Sequence, residues 1–478
     1  EPYRRQRQMC IRDSLHSVAV IGPAADTVSY GDYTETRGRK GGVSVLDGIR
    51  AAVSPETEVL YERGCNFLGQ ALHPFDPSML RDENGEAGLT GRYYNGPVPQ
   101  GEPVQVRTDR TVNFNWIFAL PHPELDANCF SVAWTGSVIM PKTMDGCIGL
   151  STQDSMRLYV DDKLLIDGWG KDKSADQALD FHFEAGRTYK IRIEFVNDRR
   201  GARVIFGYSA GWENFSAAVE AARKADVAIL CMGDNEETSG ENFDRIDLNL
   251  PGRQLELVQA VYATGTPVVL VLQSGRPVTA NWENDHLPAI LEAWFPGEQG
   301  GTAIAKTLFG NAAPGGRLPI TFPRSVGQIP CHYSRRPGGG KRYVEMDWLP
   351  LYPFGYGLTY TTFAYRDMTL SRSVIGPQDT VTVSVTVTNT GKYTGDAVPQ
   401  LYVRDMFSSV VKPERQLAAF RRLTLAPGES RRVELTVGPK QLRTLGSDYV
   451  WRVEPGKFEL QLGDNAENIL LRADLTVE

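Results

Sequence analysis

Two parts of the chain alternate short apolar runs with amphipathic stretches, and this pattern predicts an α/β domain. The runs at 17–22, 227–232 and 267–272 are almost wholly apolar, as expected for strands buried on both faces. The predicted strands are 17–22, 58–62, 227–232, 267–272 and 289–295, and the predicted helices are 43–53, 214–224, 252–263 and 299–308. Because strands and helices alternate, we expect a parallel sheet covered on both faces.

Residues 88–208 have a different pattern of apolar and polar positions and interrupt this domain. Short alternating runs at 130–134, 157–160, 190–195 and 204–208 are bounded by Gly, Asp and Asn, which is typical of β-strands. The block therefore reads as an insertion whose two ends lie close together at a surface loop. A second all-β pattern follows residue 360, where Thr or Ser alternates with Val over 380–387. Several such strands predict an immunoglobulin-like β-sandwich.

The predicted fold class is thus α/β plus all-β, with boundaries at five places. The predicted segments are a non-native segment 1–14, a discontinuous α/β sandwich 15–87 and 209–345, an inserted β-sandwich lobe 88–208, a connector 346–363 and a C-terminal β-sandwich 364–478. Residues 1–14, EPYRRQRQMCIRDS, show neither apolar periodicity nor the apolar core of a signal peptide. We interpret them as an artefact and expect the natural protein to begin further upstream.

Composition excludes several classes of protein. The chain has 51 Lys plus Arg against 58 Asp plus Glu, a net charge of −7 that argues against a nucleic-acid partner. Its longest apolar runs are far shorter than the ~20 residues that span a bilayer. None of the six cysteines forms a C-x-x-C pair or has zinc-like spacing, so we predict no metal and no cofactor.

The strongest candidate for chemistry is the acidic segment 233–251, GDNEETSGENFDRIDLNLP, between the predicted strand 227–232 and a predicted helix. In open α/β sheets, ligands bind at the carboxyl ends of the strands. A carboxylic acid among other carboxylates in a partly closed cleft has a raised pKa, which suits a general acid. The alternative is a solvated acidic loop without a catalytic role.

A second motif suggests a serine esterase. Residues 207–211, GYSAG, match the G-x-S-x-G elbow and place Ser209 between a predicted strand and a predicted helix. A catalytic triad needs a later His, for which only His286 and His332 lie downstream. The favoured interpretation is a turn where the inserted block rejoins the α/β domain.

Three further motifs are interpreted as structural. The segment 337–341, PGGGK, resembles a phosphate loop, but no strand precedes it and Arg342 stands where Ser or Thr binds magnesium. The segment 346–348, MDW, reads as a packed loop of the connector. Acidic residues on or beside one predicted strand of the inserted block are interpreted as turn-forming rather than calcium-binding: Asp154, Asp161 and Asp162.

Three stretches are distinctive, namely WFPGEQGG at 294–301, PGGRLPITFP at 314–323 and PLYPFGYGLTY at 350–360. They resemble the C-terminal portion of glycoside hydrolase family 3 enzymes of the β-glucosidase type. The first two are similar to the α/β-sandwich domain of that family, and the third is similar to its connector. QLYVR at 400–404, LAPGE at 425–429 and EPG at 454–456 resemble its fibronectin-III-like domain. GLTGRYY at 88–94 resembles the opening of a PA14 domain, so the lobe is expected to be PA14-like. Calcium-binding relatives carry paired aspartates, and the pair Gln153-Asp154 departs from that pattern.

The resemblance also assigns roles within the acidic segment. SGENFDR at 239–245 is similar to the acid/base segment of the family, which makes Glu241 the expected catalytic acid/base. Asn242 stands where Gly is usual, and Phe243 stands where Tyr is common. Asp244, Arg245 and Glu237 are the expected supporting residues of this substrate loop.

The activity implied by the resemblance is retaining hydrolysis of terminal, non-reducing β-D-glucosyl residues. Two carboxylates perform this reaction, one as nucleophile and one as acid/base. In the family the nucleophile lies on a (β/α)₈ barrel, which needs about 250 residues. No nucleophile is assigned in this chain, so we expect a fragment that supplies the acid/base and is inactive alone.

The expected partners are β-linked glucosides or oligosaccharides and the barrel of the same polypeptide, with no nucleic acid and no membrane span. Self-association stays open, and a periplasmic or secreted location is favoured over the cytoplasm. A β-xylosidase or another exo-β-glycosidase of the family is the alternative within the class. A non-catalytic carbohydrate-binding protein is the alternative from another class.

Overall fold

The computed structural model describes residues 15–478 apart from 32, 35–40, 69–71, 117–119, 153, 171–176, 198–202, 210–214, 237 and 339–341. The predicted artefact at 1–14 lies outside the described residues. The chain divides into two compact units, Glu1–Arg63 with Ser216–Glu478, and Gly64–Phe215. Among the described residues, no helix combines the length and apolar character needed to cross a bilayer.

The first unit contains the predicted parallel sheet. Its strands are β1 (Ser17–Ile21), β2 (Glu58–Glu62), β3 (Val227–Gly233), β4 (Val268–Gln273) and β5 (Ala289–Glu292), in the spatial order β5-β4-β3-β1-β2. All neighbouring pairs are parallel. Every residue of β1 and β4 is buried, which explains why these strands read as continuous apolar runs. The α/β prediction is confirmed.

Among the described residues, four helices of this sheet begin and end close to the predicted positions, and a fifth, the short helix Asn281–His286, was not predicted. They are α1 (Val45–Ala52), α2 (Ser216–Lys224), α3 (Gln254–Tyr262), α4 (Asn281–His286) and α5 (Gly300–Leu308). Helix α1 begins after Ser44, whose side chain accepts a hydrogen bond from the backbone N–H of Asp47 at 3.1 Å. Strand β5 is shorter than the predicted 289–295, because Trp294 has a positive φ of 52° that ends the extended conformation.

The second unit is an all-β lobe of two sheets. One has the order Lys163–Asp167, Ser155–Val160, Thr188–Asn197, Phe130–Ile139, Leu89–Asn95 and Gln105–Asp109, with Leu80–Arg81 paired to Phe130–Ile139. The other has the order Gln177–Phe183, Met144–Thr152, Arg203–Ser209 and His73–Pro74, with Asn113–Asn115 paired to Arg203–Ser209. A 3₁₀ turn spans Pro77–Met79.

The chain enters and leaves the lobe on paired strands. His73 and Pro74 pair with Tyr208 and Gly207, so the two ends of the insertion are neighbours, as expected from the sequence. The lobe begins earlier than the predicted residue 88, because His73–Pro74 and Leu80–Arg81 are strands of its sheets. Its core includes the fully buried Trp134.

The C-terminal part of the first unit is the predicted β-sandwich. One sheet has the order Phe363–Leu370, Val381–Asn389 and Ser430–Val437, and the other has the order Val374–Ile375, Ile469–Val477, Gly456–Gly463, Gln400–Asp405 and Gln416–Phe420. Two short strand pairs accompany these sheets, Gly395–Ala397 with Leu423–Leu425 and Thr444–Leu445 with Trp451–Arg452. The sandwich also contains the short helix α6 (Pro439–Leu442), and a 3₁₀ turn at Val326–Gln328 lies in the segment before it. The strands Gly395–Ala397 and Gln400–Asp405 are separated near Pro399, which has no N–H for a sheet.

Candidate active site

The candidate site lies at the carboxyl ends of adjacent parallel strands. Strand β3 ends at Gly233, and the acidic segment begins at once with Asp234. Strand β4, the neighbour of β3, ends at Gln273 and is followed by Ser274 and Arg276. The parallel arrangement therefore brings the two strand-end loops together.

Asp234 is the anchor of this arrangement. Its side chain is 3% exposed and receives hydrogen bonds from the hydroxyls of Thr238 and Ser274, both at 3.0 Å. Arg245 lies 3.4 Å from one carboxylate oxygen, and Arg276 lies 3.6 Å from the other. Two cations and two hydroxyls thus surround one buried carboxylate, which is what a buried charge requires.

The two arginines also hold the loop by its backbone. Arg276 Nη2 donates to the carbonyl of Thr238 at 3.2 Å and to that of Phe243 at 3.5 Å. Arg245 Nη2 donates to the carbonyl of Asn249 at 2.9 Å. The backbone on either side of residue 241 is therefore tied to the same buried cluster.

Glu241 lies between these two attachment points and is exposed. The next residue, Asn242, has a φ of 65°, which lies in the left-handed region that glycine adopts without strain. Asparagine is among the side chains that tolerate this conformation best, which explains how it can occupy a position where glycine is usual. The loop conformation thus presents Glu241 outward from an anchored backbone.

The other residues predicted for this loop have different places. Arg245 belongs to the Asp234 cluster, and it also lies 3.4 Å from Asp247. Asp244 is exposed. Glu237 lies outside the described residues.

Sequence reasoning missed two groups beside the loop. Arg276 follows β4 in a Ser-Gly-Arg turn, and its position after an apolar strand is the signal that could have found it. Glu292 ends β5, and its Oε1 accepts the backbone N–H of Trp294 at 2.9 Å. Its Oε2 is shielded from solvent and has no hydrogen-bond partner. Burial, reinforced by the negative charge of Asp234, raises the pKa of Glu292 to about 8.

Ser209 does not occupy a nucleophile elbow. It is the last residue of the strand Arg203–Ser209, is buried, and pairs with Cys147 across the sheet. An elbow needs an exposed hydroxyl on a strand-to-helix turn. Ser209 is thus a strand residue, and residues 210–214 lie outside the described part.

The remaining motifs have structural contacts. Asp161 and Asp162 have positive φ in the turn between two strands, where they contact Arg187 and Lys190. Asp347 accepts the N–H of Leu349 within its own turn. The segment 337–341 is described only in part. No group of three or more His, Cys, Asp or Glu side chains in the described ranges is arranged to hold a metal ion.

The fold and this loop define a protein of the α/β-sandwich class that carries its acidic residues at the carboxyl edge of a parallel sheet and continues into a β-sandwich. The sequence pattern of the glycosyl hydrolase family 3 C-terminal domain matches residues 10–360, and that of a fibronectin type III-like domain matches residues 397–466. The chain therefore belongs to glycosyl hydrolase family 3.

Individual relatives agree with this assignment. A β-glucosidase of Rhizobium radiobacter is 33% identical over 98% of this chain and 59% of its own length. A β-xylosidase of Formosa agariphila is 45% identical over 61% of this chain and 42% of its own length. The crystal structure of a Kluyveromyces marxianus β-glucosidase in complex with glucose has a TM-score of 0.71 at 27% identity, over 96% of this chain and 59% of that one. The chain thus spans between two fifths and three fifths of these relatives.

Proposed function

We propose that the chain supplies the acid/base residue, Glu241, of a retaining exo-β-glycosidase that removes terminal β-D-glucosyl residues. The observation that carries the proposal is the placement of Glu241 on an exposed turn whose backbone is fastened on both sides by Arg276. A general acid must reach the leaving oxygen and hold its position there. Asp244 and Arg245, with Glu237, are proposed as supporting residues of the loop.

The reaction needs a second carboxylate about 5–5.5 Å from the first. We propose that this nucleophile belongs to the part of the relatives that the chain does not span, and that the chain alone has no turnover. The acid protonates the leaving oxygen in the first step. The same residue, as a carboxylate, then activates the water that releases the sugar.

The test uses Glu241→Gln in the complete enzyme, with Glu236→Gln in the same loop as the matched control. Hydrolysis of a glucoside with a basic leaving group should fall about 10³-fold, because acid assistance contributes roughly 10²–10⁴-fold. The glycosylation rate of an activated aryl glucoside should fall far less, since its leaving group needs little protonation. Added azide should yield the β-glucosyl azide. Equal losses on both substrates would refute the assignment of Glu241.

A β-xylosidase is the second candidate, favoured by the 45% identity to a protein of that name. The two sugars differ by the exocyclic hydroxymethyl group. A comparison of kcat/KM for aryl β-glucoside and β-xyloside distinguishes the two activities. If neither is hydrolysed by the complete protein, while oligosaccharides bind, the non-catalytic carbohydrate-binding alternative replaces both.

A further inference from the structure

A cavity of about 340 Å³ lies in the first unit, and no residue of the acidic segment 233–251 lines it. One side is formed by β4 and the edge strand β5, and the other by the segments 314–322 and 352–360. Its walls are mainly aliphatic and aromatic, with Leu272, Ile290, Trp294, Phe322 and Leu358 among them. This size and lining are typical of small-molecule sites, which combine apolar walls with a few polar groups.

Three side chains that line the cavity each have a polar atom without a hydrogen-bond partner. These atoms are Glu292 Oε2, Arg317 Nε and Thr359 Oγ1, and all three are shielded from solvent. Buried polar atoms in native proteins are almost always paired, so three of them around one cavity call for an explanation. By contrast, the Tyr352 hydroxyl at the wall is satisfied, because it donates to Asn284 Oδ1 at 2.9 Å.

The charges around the cavity favour an uncharged ligand. Burial is the largest influence on Arg317 and lowers its pKa, and the nearby acidic groups Tyr365 and Asp464 oppose that shift. Because the pKa of Glu292 is about 8, this residue is protonated and neutral at pH 7. A rotation of its carboxyl group about the terminal torsion, which has broad minima, would present Oε2 to a ligand and would weaken the hydrogen bond from Trp294.

We propose that this cavity binds a flat, uncharged aromatic compound with one hydroxyl group, with its ring against Trp294 and Phe322 and its hydroxyl at Glu292. The apolar wall supplies most of the affinity, and the hydroxyl supplies the partner that Glu292 lacks. A two-ring compound of eleven heavy atoms suits the volume. The proposal does not depend on the glycosidase assignment, since none of its residues belongs to the acid/base loop.

The test is a titration of the 478-residue chain at pH 7 with 2-naphthol, its methyl ether and glucose, followed by ligand-detected NMR. We expect a Kd for 2-naphthol of about 0.1 mM, which corresponds to roughly 0.5 kcal/mol per heavy atom. The methyl ether can accept a hydrogen bond from the Glu292 carboxyl group but cannot donate one to it, so it should bind several-fold more weakly. Absence of 2-naphthol binding up to 2 mM (about twenty times the expected Kd), or displacement by glucose, would overturn the proposal.

Two matched substitutions locate the binding. Leu358 lines the cavity and is 54% exposed, whereas Leu470 is 41% exposed on a sandwich strand and does not line it. Leu358→Asp should raise the Kd for 2-naphthol at least about fivefold, because it places a charge at the apolar wall. Leu470→Asp should leave this Kd unchanged. Equal effects of the two changes would overturn the assignment to this cavity. Glu292→Met should abolish the preference for 2-naphthol over its ether, and a retained preference would exclude Glu292 as the hydroxyl partner.

Discussion

At the scale of single residues, the candidate site depends on one buried carboxylate rather than on its exposed acids. Asp234 joins two arginines from different loops, and both arginines bind backbone carbonyls of the acidic segment. Removing the charge of Asp234 would leave two partly buried guanidinium groups without their shared partner. Breaking a buried ion pair in this way is strongly destabilising.

We therefore expect Asp234→Asn to lower the free energy of unfolding of the first unit by about 3 kcal/mol. Hydrogen exchange of the buried β3 amides measures this change for that unit alone. Asp247→Asn is the control, because Asp247 also contacts Arg245 but is 47% exposed, and it should change stability by less than about 1 kcal/mol. Similar effects of both substitutions would contradict the role of Asp234.

Glu292 predicts a pH dependence of stability. Its pKa is about 8 in the folded chain, against 4.5 ordinarily, so between these values the folded state keeps a proton that the unfolded state has lost. Stability must then fall as pH rises from 4.5 to 8, by at most about 5 kcal/mol. Glu292→Gln removes this loss, and its Tm should exceed that of the wild type by more at pH 8.5 than at pH 5.

The control for that experiment is Glu298→Gln, which changes an exposed carboxylate a few residues away. Its Tm difference from the wild type should be small and similar at both pH values. A difference for Glu292→Gln that does not change with pH would show that Glu292 is ionised throughout this range.

At the scale of elements, the ends of the parallel strands are packed too closely for side chains. Gly22 has a φ of 123°, and a Cβ on it would lie 2.1 Å from the carbonyl oxygen of Cys231. Gly233 has a φ of 139°, and a Cβ there would lie 1.9 Å from the carbonyl oxygen of Gln273. The absence of a Cβ at Gly22 and Gly233 therefore allows neighbouring strand ends to approach closely at the edge where the acidic loop begins.

Gly233→Ala should consequently lower the free energy of unfolding by about 3 kcal/mol or more, because it combines a backbone clash with a strained φ. Gly265→Ala is the matched control, since Gly265 also has a positive φ of 81° but has open space around its Cα. The control should cost only about 1–2 kcal/mol. Chemical denaturation compares the stabilities of the two variants. Equal losses of stability would mean that the close approach to Gln273 does not add to the effect of the substitution.

At the scale of the whole molecule, the lobe is an independent unit inserted into another domain. It has its own core around Trp134, and the strands by which the chain enters and leaves it are paired at His73–Pro74. Domains with neighbouring ends and separate cores tolerate excision.

Replacing residues 66–212 with a short Gly-Ser linker should therefore leave the first unit folded. We expect a monodisperse product whose helix and strand signals in circular dichroism match those of the remaining elements, with cooperative thermal unfolding. The isolated segment 64–215 should also unfold cooperatively. Aggregation of both products would contradict the independence of the two units.

Much of the fold could be predicted because each module buries its apolar residues in a characteristic pattern. Strands β1, β3 and β4 read as continuous apolar runs, whereas Val381–Asn389 alternates buried and half-buried residues. The early start of the lobe was missed, because strands of two residues such as His73–Pro74 leave no periodicity to read. The early end of β5 was missed because the positive φ of Trp294 is not encoded by its residue type.

The sequence alone indicated the order of the modules and the family resemblance, and through that resemblance it predicted Glu241 as the acid/base. These depend on residue type and on spacing along the chain, which a sequence records directly. Only the tertiary structure revealed the cluster of Asp234, Arg245 and Arg276 and the cavity beside Glu292. Each joins residues tens of positions apart, and their burial, pairing and pKa depend on distances that exist only after the strands pack side by side.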